Sequence, residues 1–78
     1  MKLKIILNSV ADASLFVKTC SEFKEDIDVY YRRFILDGKS VMGILSMDLR
    51  EGCSVKIHTD DEKVKERFKE SMSLWIEE

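Results

Sequence analysis

Few side chains in this 78-residue chain could carry chemistry, and the scarcest is histidine, present once as His58. Zinc modules need several cysteine or histidine ligands, and a metal site or a catalytic triad needs partners for its imidazole. His58 has no second ligand at a suitable spacing. We therefore expect no metal site and no cofactor, and we interpret His58 as a solvated residue on a strand.

The two cysteines, Cys20 and Cys53, could form at most one disulfide. The apolar run at residues 5–7 is too short for a signal peptide or a membrane span. We therefore expect a cytoplasmic protein without membrane insertion, in which both thiols are reduced and serve as small buried apolar residues.

The charge balance limits the class of partner. Thirteen Lys and Arg residues stand against 15 Asp and Glu, so the formal net charge is -2. The chain therefore lacks the basic excess of a typical nucleic-acid binder, and we expect no nucleic-acid partner. With no proline, no linker and no internal repeat, residues 1–78 are interpreted as a single domain.

The elements that must position these residues follow from hydrophobic periodicity. Period-two alternation predicts strands near residues 3–7, 27–31, 34–36 and 53–59. Spacings of three and four predict helices over about 11–23, over a short stretch from Val41, and from about residue 62 onward. In the first helix the predicted apolar stripe comprises Ala11, Leu15, Phe16, Thr19, Cys20 and Phe23.

The predicted helices also have N-terminal caps. Ser9 with Asp12, and Thr59 with Glu62, have the spacing of capping boxes. The element order, with a hairpin in the middle, indicates an α+β fold in which helices cover an antiparallel sheet.

Two stretches, residues 13–23 and 38–47, resemble the HPr family, the phosphocarriers of the bacterial sugar phosphotransferase system. The segment Gly38-Lys39-Ser40-Val41-Met42-Gly43 is the most diagnostic, and Gly52 and Val55 match the family's entry to its last strand. The resemblance spans nearly the whole chain. It implies a βαββαβα open-faced sandwich, with a four-stranded antiparallel sheet and three helices on one face.

The chain departs from the family at its carrier motif, a histidine followed by Ala-Arg-Pro-Ala. An ungapped placement through Ala13 puts Ser9 at the histidine, Ala11 at the arginine and Asp12 at the proline. A neutral imidazole can attack phosphorus near neutral pH and pass the group on, whereas a serine hydroxyl needs a base and forms a stable ester. We therefore predict no catalytic residue, a degenerate carrier site and a capping role for Ser9.

A second site of the family is retained in sequence. In Gram-positive members the serine of Gly-Lys-Ser is phosphorylated by a dedicated kinase, HPr kinase, and the modified protein acts as a corepressor partner. Ser40 occupies that position. Because serine is also a preferred N-cap, two interpretations stay open: regulatory phosphorylation or an ordinary cap.

Apolar residues around the second helix predict a partner-binding surface. That short helix cannot bury Met42, Leu45 and Met47 together with Val41 and Ile44, so part of the set should be exposed. The resemblance implies that partners dock there and at the start of the first helix. The candidate partner-binding residues are Ser14, Val41, Met42, Leu45 and Met47.

The leading hypothesis is a regulatory or interaction module that is not an enzyme. Its partners would be proteins of the phosphotransferase system or transcription regulators, with HPr kinase as a possible modifier. Two alternatives remain: a phosphocarrier that uses a non-standard site, and a structural partner-binding domain. We interpret Arg32 and Arg33 as turn residues that aid solubility rather than as a phosphate clamp.

Overall fold

The computed structural model describes residues 2–77 and contains the seven elements in the order expected from the sequence. Their bounds are β1 Leu3–Ile5, α1 Val10–Ser21, β2 Ile27–Tyr31, β3 Phe34–Asp37, α2 Val41–Leu45, β4 Cys53–Ile57 and α3 Glu62–Ser71. The α+β class and the βαββαβα order are thereby confirmed.

The four strands form one antiparallel sheet in the order β1-β4-β2-β3. Val29 lies opposite Val55 in the two central strands, and both are fully buried. The next pair, Tyr30 and Ser54, points to the other face and is only half-buried. Since successive side chains of a strand alternate between faces, one face of the sheet is covered and the other is open.

All three helices contribute to the single core on the covered face. Phe16 of α1, Ile44 of α2 and Phe68 of α3 are each at most 1% exposed and belong to the same cluster as the central valines. Two edge-to-face aromatic pairs connect the α1 region with the α3 region: Phe16 with Trp75, at 5.9 Å between ring centroids, and Phe23 with Phe68, at 5.6 Å. Such pairs add to the stabilisation from area burial alone.

The buried face of α1 differs from the predicted stripe. The helix buries Ala13, Phe16, Val17 and Cys20, which follow the spacing i, i+3, i+4 and i+7. Ala11 and Leu15 are exposed instead. The predicted stripe included residues from two adjacent faces, and only one of them packs on the sheet.

The predicted boundaries also need correction. Strand β1 ends at Ile5 and not near residue 7, because the N–H of Ile6 donates to the Trp75 carbonyl in the C-terminal segment. Asp61, not Thr59, caps α3 by accepting from the N–H of Lys63. The Thr59 hydroxyl instead accepts from the N–H of Asp61, in the turn before the helix.

Both thiols are free and buried. Burial raises the pKa of Cys20 to about 12 and that of Cys53 to about 11. A thiol with so high a pKa has almost no thiolate near neutral pH and is a poor nucleophile. The structure thus confirms that these cysteines are packing residues.

Gly38 lies where the chain leaves β3 and passes close to β2. Its N–H donates to the Ile27 carbonyl at 2.9 Å. A Cβ at this position would lie 2.9 Å from Ile27 Cγ2, 3.2 Å from the Ile27 carbonyl oxygen and 3.4 Å from Cys20 Sγ. The close approach of backbone and core therefore requires glycine.

We expect Gly38→Ala to lower the free energy of unfolding by about 1–3 kcal/mol, the usual cost of inserting a methyl into a packed site. Gly43→Ala is the matched control, because its Cβ would contact only Ser40 side-chain atoms and alanine is the better helix former. Urea unfolding of both variants measures the difference. Equal stability of the two variants would contradict this account of Gly38.

Candidate functional site

The start of α1 holds the positions at which the family resemblance places the carrier motif. Ser9 has an extended backbone and caps the helix, and its Oγ accepts from the Asp12 N–H at 3.1 Å. Val10 and Ala11 are exposed. This arrangement confirms Ser9 as the N-cap of α1.

The electrostatics at this helix start do not favour a phosphoryl group. Asp12 is the acidic residue of the first turn, and the basic residue of α1, Lys18, lies in its last turn. The helix dipole attracts anions, but a carboxylate already stabilised there repels a second anion. Ala11 supplies no guanidinium that could compensate.

His58, the sole imidazole, is placed elsewhere. It follows β4, and its Nε2 lies 2.7 Å from Asp28 Oδ2. Asp28 precedes buried Val29 on β2, so this pair belongs to the open face of the sheet, whereas α1 packs on the covered face. Its side chain is 42% exposed, as predicted, but β4 ends at Ile57 and not near residue 59, so His58 does not lie on the strand. The partnership with Asp28 was missed, because strand register is needed to find it.

The second candidate position, Ser40, caps α2. Its Oγ accepts from the Gly43 N–H at 3.2 Å, and its own N–H donates to the Asp37 carbonyl. No acidic residue occupies the first turn of α2, and Lys39 precedes the cap. The two helix starts therefore differ in their first turn: α1 has the Asp12 carboxylate there, whereas α2 has no acidic residue, although the Asp37 carboxylate accepts from the Lys39 N–H just before the cap.

Exposed apolar side chains lie beside Ser40. Val41 is 46% exposed, Met42 85% and Leu45 41%, while Ile44 is fully buried and anchors the helix. Leu15 of α1, the helix packed against α2, is 45% exposed. We call Leu15, Val41, Met42 and Leu45 the α1–α2 patch. The expected exposure of part of the apolar set around α2 is confirmed for Val41, Met42 and Leu45.

Met47 does not belong to this patch. It is only 6% exposed and joins the core, because the chain turns inward after α2 ends at Leu45. Its inclusion among partner-binding residues is therefore wrong. Ser14, the partner-binding candidate in α1, is exposed and precedes Leu15.

A polar cluster holds the segment after α2 against the β2–β3 turn. The Tyr31 hydroxyl donates to Glu51 Oε2 at 2.7 Å and accepts from the Asp48 N–H at 3.1 Å. Arg32, with φ of 54° in the turn, forms an ion pair with the same Glu51 oxygen. The Tyr31 hydrogen bond, followed by that of Arg32, lowers the pKa of Glu51. Arg32 therefore has a structural role beyond solubility.

Residues 2–77 contain neither a metal-binding cluster nor a membrane-spanning helix. No group of three or more His, Cys, Asp or Glu side chains there could hold a metal ion. None of the helices in that range is both long and apolar enough to cross a bilayer.

A family model described as "PTS HPr component phosphorylation site" matches residues 10–75. The chain belongs to the HPr family.

Two solved HPr structures have the same fold. One is described as HPr-C-His from Thermoanaerobacter tengcongensis, with a TM-score of 0.73 and 22% identity over 94% of this chain and 91% of that chain. The other is a phosphocarrier protein HPr from Bacillus anthracis str. Ames, with a TM-score of 0.68 and 20% identity over 92% of this chain and 95% of that chain. At these identities the similarity establishes the HPr fold alone.

The Tyr31 cluster predicts a pH effect on stability. A carboxyl whose pKa is lowered by folding stabilises the protein above its unfolded pKa, and this contribution is lost as the pH falls through the folded pKa. Tyr31→Phe removes the largest cause of the lowered pKa of Glu51. We expect the variant to be less stable than the wild type at pH 6, because it lacks a hydrogen bond to the carboxylate, and to lose less stability than the wild type on going to about pH 3, where that carboxylate becomes protonated.

Urea unfolding at both pH values measures this effect. Tyr30→Phe is the control, because Tyr30 lies on the open face, where its ring stacks under the Lys2 ammonium group at 3.9 Å. If Tyr31→Phe and wild type lost the same stability between the two pH values, Glu51 would not be coupled to Tyr31.

Proposed function

We propose that this HPr family member is a regulatory or interaction module that does not carry phosphate at the usual histidine position. The observation that carries this proposal is the start of α1, where Ser9 stands at the position assigned to the carrier histidine. Its hydroxyl is engaged as the helix cap, 3.1 Å from the Asp12 N–H.

The chemistry of the carrier reaction argues in the same direction. A serine nucleophile needs a general base, and the phosphate ester it forms does not readily pass its phosphoryl group on. The chain's one imidazole is held by Asp28 on the opposite face of the sheet. With Asp12 in the first turn, the α1 start also repels the phosphoryl donor.

Ser40 is the residue that we propose to be regulated by phosphorylation. A phosphate adds about 1.5 to 2 negative charges near neutral pH. At Ser40 this charge would follow Lys39 and meet a first helical turn without an acidic residue, directly before exposed Val41 and Met42, while the Asp37 carboxylate stays bound to the Lys39 N–H. Phosphorylation would thus change the charge at the border of an apolar contact surface, and with it the set of partners that bind.

The proposed partners are proteins that bind the α1–α2 patch, either components of the phosphotransferase system or transcription regulators, and HPr kinase as the modifying enzyme. We propose a cytoplasmic location, no enzymatic activity of its own and no nucleic-acid binding, in keeping with the net charge of -2. Since the patch is exposed whether or not Ser40 is modified, partner binding without phosphorylation is a second candidate function.

Incubation with HPr kinase and ATP, followed by intact-mass analysis, separates these two candidates. We expect one added phosphate in the wild type and none in Ser40→Ala. Leu45→Asp should slow phosphorylation about tenfold or more, because it places a charge in the contact surface. Leu74→Asp is the matched control: Leu74 is 78% exposed but lies after α3.

Authentic HPr serves as the positive control for the kinase. If authentic HPr is modified while this chain gains no mass, regulation through Ser40 is ruled out and the unmodified interaction module remains. If Leu45→Asp is modified as fast as Leu74→Asp, the kinase does not use the α1–α2 patch.

A further inference from the structure

The sheet has two edges, and only one of them is covered within residues 2–77. At the β1 edge, Ile5 forms a bridge with Ile76, and the N–H of Glu77 donates to the Lys4 carbonyl at 2.9 Å. The opposite edge is β3, which pairs with β2 on one side and has no strand on the other. Strand β3 is therefore the edge at which another strand could add.

One hydrogen bond determines which backbone N–H and carbonyl groups of β3 point toward β2 and which point toward the open edge. The Gly38 N–H donates to the Ile27 carbonyl, so Gly38 and Ile27 form a hydrogen-bonded pair. Every second pair of an antiparallel ladder is hydrogen-bonded, so Leu36 and Phe34 also bond to β2. The N–H and the carbonyl of Ile35 consequently both point away from β2, toward the open edge.

The side chains of this edge are unusually apolar. Phe34 is 52% exposed and Ile35 64%. Edge strands are commonly protected by a charged residue or a proline near their middle, which discourages pairing with other chains. In β3 the charges stand only at the ends, with Arg33 just before the strand and Asp37 as its last residue.

This charge pattern is self-complementary. In an antiparallel pairing centred on Ile35, each Ile35 would bond the other through its outward N–H and carbonyl. The same register places Arg33 opposite the partner's Asp37 and Phe34 opposite the partner's Leu36. A register centred on residue 33 or 37 would instead set like charges opposite each other, which is unfavourable.

A second observation concerns Asp37 itself. It lies directly opposite Asp28 in the β2–β3 ladder, so two carboxylates face each other on the open face. Asp28 is paired with His58. Within the described residues neither Asp37 nor Arg33 forms an ion pair. A second copy would supply the missing cation at Asp37 through its own Arg33.

We propose that two copies of this chain associate through β3, antiparallel and centred on Ile35, into one continuous sheet with four strands from each copy. An axis perpendicular to the sheet keeps the helices of both copies on the same face. Because α2 packs against β3, the two α1–α2 patches then lie on one side of the dimer. A single strand pair buries little area, so the dimer should dissociate on dilution.

Charge reversal tests the register through sedimentation equilibrium over a range of concentrations. We expect the wild type to dimerise, and Arg33→Asp and Asp37→Arg each to raise the dissociation constant tenfold or more. An equimolar mixture of these two variants should recover the dimer, because both charge pairs are then again of opposite sign. This recovery is specific to an interface in which position 33 meets position 37.

Ile35→Lys provides an independent variant at the centre of the interface, and Leu74→Lys is its control at an exposed apolar residue elsewhere. Circular dichroism verifies folding. If Asp37→Arg unfolds, Arg33→Asp and Ile35→Lys still test the proposal, since both leave the bond from the Lys39 N–H to Asp37 in place. A wild type that stays monomeric at millimolar concentration, or a dimer insensitive to Arg33→Asp and Ile35→Lys, would overturn it.

Discussion

Coverage of only one face of a four-stranded sheet is the constraint on which the rest of this structure depends. Strand residues alternate, so the central valines and their neighbours are buried under α1, α2 and α3, while Tyr30, Ser54 and Lys56 face solvent. Every helix must therefore pack its apolar side chains into the same core. A helix as short as α2 buries Ile44 there and leaves Val41, Met42 and Leu45 exposed.

The same constraint separates the chemically active positions. The starts of α1 and α2 lie on the covered side of the sheet, where each is closed by a serine cap. The imidazole lies past β4 with the open-face residue Asp28. A histidine on that face cannot take over a reaction at a helix start on the other, and the composition of the chain offers no second one. What distinguishes the two helix starts is then their first turn: Asp12 lies in that of α1, whereas that of α2 has no acidic residue and follows Lys39.

The sequence predicted the element order, the hairpin and the Ser9 cap, because period-two alternation and capping residues are local signals, and it left a cap as one of two interpretations of Ser40. It could not decide which of two adjacent faces of α1 is buried, and so it places Leu15 in the buried stripe. Nor could it show that the chain turns inward after α2, and so it places Met47 on the surface. Both depend on how the helices meet the sheet. The contacts of His58 with Asp28 and of Tyr31 with Glu51 join residues 30 and 20 positions apart, so no local signal indicates them: strand register brings the first pair together, and the path of the chain after α2 brings the second.

The central claim is that this HPr family member does not carry phosphate at the start of α1. Incubation with enzyme I and phosphoenolpyruvate, followed by intact-mass analysis at neutral pH and after brief acid treatment, tests it most directly. With authentic HPr labelled in parallel, we predict that this chain gains no phosphate and that Ser9→Ala behaves identically. An acid-labile phosphate on the wild-type chain would show that a carrier site exists and would contradict the account.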